Sequence, residues 1–286
     1  MTSLIGGLED IAARYDGLLC DVWGVVHNGV SAFAPAVNAL TQFRAGSGRV
    51  LLVTNAPRPA PLIRRQLTQF GVGEDAYDDV LTSGDVTRDV IAARPGAKVF
   101  HLGPERDLPF YRGLDIALVP EGEADLISCT GLFDDTRETP DDYEAMLRRL
   151  AARRLAMACA NPDIVVERGD TLVYCAGALA QRYAVLGGET IIVGKPHAPI
   201  YVAARERLAR LGVTRILAIG DGLPTDIRGA HDAGIDVLFV TGGIHEADFG
   251  PADAPDPAQV SARLAAEGLA AVAFLPKLRW AGASSS

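Results

Sequence analysis

Short apolar runs, each stopping at a polar or charged residue and separated by helical spacing, constrain this chain most. Leu18-Leu19-Cys20 reads as a buried strand ending at Asp21. Val50-Leu51-Leu52-Val53 reads as a second, ending at Thr54-Asn55. Between them Val37, Leu40 and Phe43 recur at helical spacing over residues 34–44. Pro59 and Pro61 open another helix through Leu62, Ile63, Leu67 and Phe70, since proline is tolerated in a first turn. The same style returns late in the chain. It gives strands at 190–193, 216–219, 237–240 and 271–275, with helices at 199–211 and 225–233. Strands alternating with helices predict an α/β fold whose parallel sheet is covered on both faces.

The middle of the chain, residues 84–185, repeats the pattern on its own. Candidate strands are 99–102, 116–119, 126–129, 155–160 and 171–175. A helix over 140–154 places Tyr143, Met146, Leu147 and Leu150 on one side. The polar strand ends that carry chemistry lie on both sides of this segment and hardly within it. An inserted domain at 84–185 inside a discontinuous core of 1–83 and 186–286 therefore fits better than two domains in series. The 286 residues are enough for two domains.

Ligands of open parallel sheets bind at the carboxyl ends of the strands. Four such ends are unusual here: Asp21, Thr54-Asn55, Lys195 after Ile191-Ile192-Val193-Gly194, and Asp221 with Asp226 after Leu217-Ala218-Ile219-Gly220. If the strands lie side by side, these groups share one rim. Three crowded carboxylates repel, and a hard divalent cation with oxygen ligands relieves the repulsion. Mg²⁺ is the usual choice beside phosphate. Lys195 adds a point charge for a phosphate oxygen, and Thr54 and Asn55 can donate hydrogen bonds to it. Asp21 is then placed to attack phosphorus in line and form an aspartyl-phosphate that water cleaves.

Charge and composition narrow the partners. The net charge of −9 argues against a nucleic-acid groove or an anionic membrane surface, both of which need basic patches. No apolar stretch reaches membrane-spanning length. The opening MTSLIGGLEDIAARYDG lacks a basic end and a long apolar run, so no signal peptide is expected. Cys20, Cys129, Cys159 and Cys175 have no paired spacing and read as buried thiols of a cytoplasmic protein. The tail AGASSS reads as a disordered end. No GxGxxG follows the first strand, against a dinucleotide site. A receiver domain also gathers Asp, Thr and Lys around a metal, but it is much shorter and carries its acidic pair after the first strand.

The segments DVWGVVHNG, VTNAP, VGKP and GDGLPTD resemble, in this order, the four motifs of the haloacid dehalogenase superfamily. The VGKP run and the long insert before it resemble class IIA, the group of sugar, nucleotide and p-nitrophenyl phosphatases. The resemblance implies a Rossmann-like core with a C2-type cap at 84–185. It implies Asp21 as nucleophile and metal ligand, the Trp23 carbonyl as a second ligand, and Asp221 and Asp226 completing the Mg²⁺ site. Thr54, Asn55 and Lys195 would hold the phosphoryl group. Asn161 and Asp163, in ACANPDIVVERGD, would contact substrate from the cap. The partner implied is a small phosphorylated metabolite, and an exposed apolar face on the cap would suggest a homodimer.

One position departs from the phosphatase pattern. The second acidic residue of DxD protonates the leaving oxygen, and here Trp23 stands in its place. General acid-base catalysis is worth about 10²–10⁴-fold, or roughly 3–5 kcal/mol. Three readings stay open: a substrate with a good leaving group, such as an acyl phosphate; another donor, with His27 nearest in sequence; or a phospholigand-binding, regulatory protein with weak or no turnover.

Overall fold

Gly17–Asp21 and Ile216–Gly220 are the central strands of a seven-stranded sheet, although most of the chain separates them. They pair in parallel, with Ile219 opposite Cys20. On one side the sheet continues with Arg49–Thr54 and Asp79–Thr82. On the other it continues with Asp236–Val240, Ala273–Leu275 and Ser3–Leu4. Every residue of Gly17–Asp21 is buried, which explains its continuous apolar reading. The chain leaves this central pair in opposite directions, so the two strands flank the topological switch point of the sheet.

The structure is a computed structural model that describes residues 2–168, 171–244 and 246–281. The expected disordered tail lies, beyond Ala281, outside the described residues. Two compact units are present. The first comprises residues up to Thr54, Ile63–Leu81 and those from Tyr201 onward, and contains the seven-stranded sheet. The second comprises Asn55–Leu62 and Thr82–Ile200.

The second unit holds a five-stranded sheet in the order Glu189–Ile192, Ala156–Cys159, Leu126–Cys129, Ala97–Leu102, Ile116–Leu118. All four pairings are parallel. Successive side chains alternate between its faces. Ile127, Cys129, Met157 and Cys159 join Leu147, Leu150, Leu179 and Tyr183 of the helices Glu144–Ala152 and Ala176–Val185 in one buried cluster. Val99, Leu126 and Ala158 join Ile91, Phe110 and Tyr111 in another. Truncating a fully buried leucine such as Leu147 to alanine costs about 2–5 kcal/mol. Val165–Arg168 and Thr171–Tyr174 form a separate antiparallel pair.

Several sequence expectations change here. The strand before Lys195, expected beside the Asp21 strand, pairs instead with Ala156–Cys159 in the second sheet, Ile191 opposite Ala158. The strand is a half-buried edge strand, and a short apolar run does not by itself choose between two parallel sheets. The expected boundaries at 84 and 185 accordingly differ from the division just given, in which 55–62 and 186–200 join the second unit. The helix expected at 140–154 opens with a 3₁₀ turn, Pro140–Tyr143, before Glu144–Ala152. The helix expected at 225–233 opens with a wide π-type turn, Leu223–Ile227, in which the Ile227 amide reaches the Gly222 carbonyl at 3.1 Å. All four cysteines are buried thiols. No helix among the described residues is long and apolar enough to cross a membrane.

Candidate active site

Asp21, Asp221 and Asp226 converge at the switch point. Each is buried, and each offers a carboxylate oxygen within 4.8 Å of the others. Asp21 ends its strand and is in register with Val53, so Thr54 lies one residue beyond on the neighbouring strand and is also buried. Asp221 directly follows the paired strand Ile216–Gly220.

The chain builds room for these carboxylates with glycine. A Cβ at Gly243 would lie 1.9 Å from Asp221 Oδ2, and one at Gly24 would lie 2.3 Å from the same oxygen. Gly24 also has φ of +81°, which a side chain rarely adopts. The Ile244 amide donates to Asp221 Oδ2 at 2.9 Å. Asp226 Oδ2 accepts from the Gly222 amide at 3.1 Å and the Thr225 hydroxyl at 3.3 Å. The π-type turn thus aims Asp226 back toward the strand end, where a Cβ on Gly220 would meet it at 2.2 Å. Of these supports, the Thr-Gly-Gly run after the strand Asp236–Val240 was the readable signal that sequence reasoning passed over.

This donor set fits a magnesium ion. It is all carboxylate oxygen and buried, and the three negative charges lie close enough together to repel one another without a cation. The backbone offers one more oxygen. In the loop after Asp21, the Trp23–His27 bridge uses the Gly24 amide, donating to the His27 carbonyl, and the Val22 carbonyl, accepting from the His27 amide. The Trp23 carbonyl stays outside that bridge.

Trp23 itself is 37% exposed. A Cβ on Gly29, whose φ is +85°, would fall 2.2 Å from its ring. His27 is only 3% exposed. It meets Trp23 edge to face at 5.2 Å and Phe70 at 4.9 Å. Its Nδ1 accepts from the Gly29 amide at 3.0 Å. Burial lowers its pKa from 6.5 to about 4, so the ring is neutral near pH 7. His27, expected as a substitute proton donor, is thus packed between the rings of Trp23 and Phe70.

The remaining expected residues form a second cluster, within the second unit. Lys195 and Asn161 are buried there. Asn55 donates through Nδ2 to Asp163 Oδ1 at 2.8 Å and to the Lys195 carbonyl at 3.0 Å. Its Oδ1 accepts from the Lys195 amide at 2.8 Å. Asn161 Oδ1 accepts from the Asp163 amide at 3.0 Å. The side chain of Asn55, expected to donate to phosphate, is therefore engaged with protein groups.

Comparison with known proteins finds several hydrolases. Residues 18–117 match the haloacid dehalogenase-like hydrolase model, and residues 192–266 match a second HAD-hydrolase-like model. A crystal structure of a haloacid dehalogenase-like family hydrolase from Brucella suis is 51% identical, with a TM-score of 0.84, covering 96% of this chain and 100% of that one. D-glycerol 3-phosphate phosphatase of Mycobacterium tuberculosis is 29% identical over 242 residues, 84% of this chain and 67% of that protein. A crystal structure of glycerol phosphate phosphatase from Mycobacterium tuberculosis in complex with magnesium is 26% identical, with a TM-score of 0.64, covering 85% of this chain and 71% of that one. The fold and these likenesses define a hydrolase of the α/β parallel-sheet class. The chain belongs to the haloacid dehalogenase-like hydrolase family.

Proposed function

We propose that this chain is a Mg²⁺-dependent phosphohydrolase acting on a small phosphorylated metabolite through an aspartyl-phosphate at Asp21. The observation that carries the reading is the convergence of three buried carboxylates at the switch point of a parallel sheet. Asp21, Asp221, Asp226 and the Trp23 carbonyl would hold the ion. When bound, the ion supplies fixed positive charge against the phosphoryl oxygens. Asp21 attacks phosphorus in line, forming an Oδ–P bond as the bond to the leaving oxygen breaks. Water then attacks the phosphorus, inorganic phosphate departs, and the carboxylate is regenerated with the water proton passing to solvent. The Thr54 hydroxyl and the Lys195 ammonium serve the phosphoryl oxygens, and catalysis is chiefly positioning and charge stabilisation. The segment carrying Asn161 and Asp163 acts as the cap that selects the substrate.

Trp23 narrows the substrate class. With an indole where a carboxylic acid would protonate the leaving oxygen, the favoured substrates are those that leave as stable anions: acyl phosphates, phosphoanhydrides and aryl phosphates. The similarity to D-glycerol 3-phosphate phosphatase supports a small phosphorylated metabolite as the general class. The test is phosphate release with Mg²⁺ from acyl, aryl and sugar phosphates. Rates rise steeply as the leaving-group pKa falls, and Asp21→Asn abolishes release from all of them. Equal rates on aryl and sugar phosphates contradict the leaving-group argument. A second reading, a phospholigand-binding protein with little turnover, is favoured by the absence of an acid at Trp23 together with the buried, neutral His27. It wins if Mg²⁺ and phosphate bind and no substrate is cleaved.

A further inference from the structure

Asn55 follows Thr54 directly, and its residue type invites the role of phosphate donor. Hydrogen-bond accounting points elsewhere. A carboxamide has two N–H donors and one carbonyl oxygen. Both donations of Nδ2 are spent inside the protein, on Asp163 Oδ1 and on the Lys195 carbonyl. The oxygen takes the Lys195 amide. One side chain thus bonds both main-chain polar groups of Lys195, as a neighbouring strand would, and holds the Asp163 carboxylate at the same time.

The surroundings are built to allow this. Gly194 has no Cβ, and one placed there would lie 2.7 Å from Asn55 Oδ1, 2.7 Å from Ser83 Oγ and 2.8 Å from Pro162 Cδ. Any side chain at 194 would drive Asn55 from the Lys195 main chain. Asp163 is positioned from its own segment by the Asn161 side chain, which accepts its amide. That segment also lies close over Gly177, where a Cβ would fall 2.1 Å from the Pro162 carbonyl oxygen. Three separated stretches, 55, 161–163 and 194–195, therefore meet at one buried amide group.

We propose that Asn55 is a positioning residue: its carboxamide latches the Lys195 turn to the 161–163 segment, and so fixes where the Lys195 ammonium is presented. The role rests on the reading of Lys195 as the phosphoryl-binding lysine. Through this latch, contacts that a substrate makes with the 161–163 segment bear directly on the main chain of the lysine. Asp163 is then a member of the latch as well, rather than only a substrate contact.

A double-mutant cycle on Asn55→Ala and Asp163→Ala tests this, with kcat and KM measured on an acyl phosphate with Mg²⁺. Each single variant lowers kcat, by about 10²-fold for Asn55→Ala, as expected when a catalytic group shifts by about 1 Å. The double variant is no worse than the more damaged single, because both changes remove the same bond. Multiplicative losses overturn the proposal, since they mark Asn55 as an independent phosphate donor. Hydrogen–deuterium exchange supplies a second readout that needs no turnover. The Lys195 amide, now bonded to Asn55 Oδ1, exchanges faster in Asn55→Ala, which removes that acceptor, while the near-isosteric Asn55→Asp keeps an acceptor, loses both Nδ2 donations and still lowers kcat. Unchanged exchange in a folded Asn55→Ala protein, or parent-like kcat in Asn55→Asp, overturns the latch. If no phosphate ester is hydrolysed but exchange accelerates, the latch stands and the phosphohydrolase reading falls.

Discussion

Gly243→Ala is the most informative single change, because it adds one methyl group beside the proposed metal site. Gly243 is not held in a left-handed conformation, so alanine suits its backbone. The added Cβ would lie 1.9 Å from Asp221 Oδ2 and 2.5 Å from both Cβ and Cγ of Asp221. The neighbouring main chain is pinned, with the Gly242 amide on the Pro276 carbonyl at 2.8 Å. The carboxylate therefore gives way, by about 1 Å or more to reach ordinary contact. Mg²⁺ tolerates little of this, since it demands octahedral oxygens at about 2.0–2.1 Å. A loss of about 10²-fold in Mg²⁺ affinity follows, equivalent to about 2.7 kcal/mol. Calorimetric titration with MgCl₂ in the absence of substrate measures it directly. Gly122→Ala is the control, because a Cβ there meets nothing within 4 Å. Parent-like Mg²⁺ affinity in Gly243→Ala refutes the reasoning, since it requires either that Asp221 is no ligand or that the glycine cradle is not tight.

Three more outcomes follow from the same geometry. Trp23→Asp returns a proton donor to the leaving-group side and raises the ratio of glycerol phosphate to acyl phosphate hydrolysis at least about tenfold, part of the full general-acid contribution; an unchanged ratio in initial-rate assays counts against the role assigned to position 23. His27 holds a folded-state pKa of about 4 against an ordinary 6.5, so the unfolded chain takes up its proton first as pH falls. Its stability contribution is full above pH 6.5 and is lost between 6.5 and 4, on the order of 3 kcal/mol in all; urea unfolding at pH 7 and pH 5 shows a smaller pH effect in His27→Gln than in the parent. Removing one of three repelling carboxylates by Asp226→Asn raises the melting temperature without Mg²⁺ and shrinks the further rise that Mg²⁺ produces; a lower Mg²⁺-free melting temperature would refute the crowding argument.

The acidic strand ends were legible because two signals coincided at each. Asp21 ends one buried strand, Asp221 directly follows another, and the two strands are partners. Thr54 was legible on the same ground. Lys195 carried an identical local signal, yet its strand belongs to the other sheet, because pairing is a long-range choice that a four-residue apolar run does not encode. Asn55 was read correctly as a polar group at a strand end, but its role depends on partners at 163 and 195. The turn that aims Asp226 was hidden behind helical spacing, since a π-type turn and an α-turn bury nearly the same positions. Ser3–Leu4 was too short to show any periodicity.

The order of strands in the larger sheet also sets an order of events for the growing chain. Gly17–Asp21 leaves the ribosome before its neighbour Arg49–Thr54, which follows soon after. Its other neighbour, Ile216–Gly220, is made only after the whole second unit. Until then one edge of a strand that is fully buried in the finished sheet is unpaired, the state in which nascent chains are most prone to wrong partners. The second unit, whose five sheet strands all lie between residues 97 and 192, can close its sheet in that interval. Asp21 is thus synthesised before Asp221 and Asp226, so the three-carboxylate cluster is assembled only once the intervening chain exists.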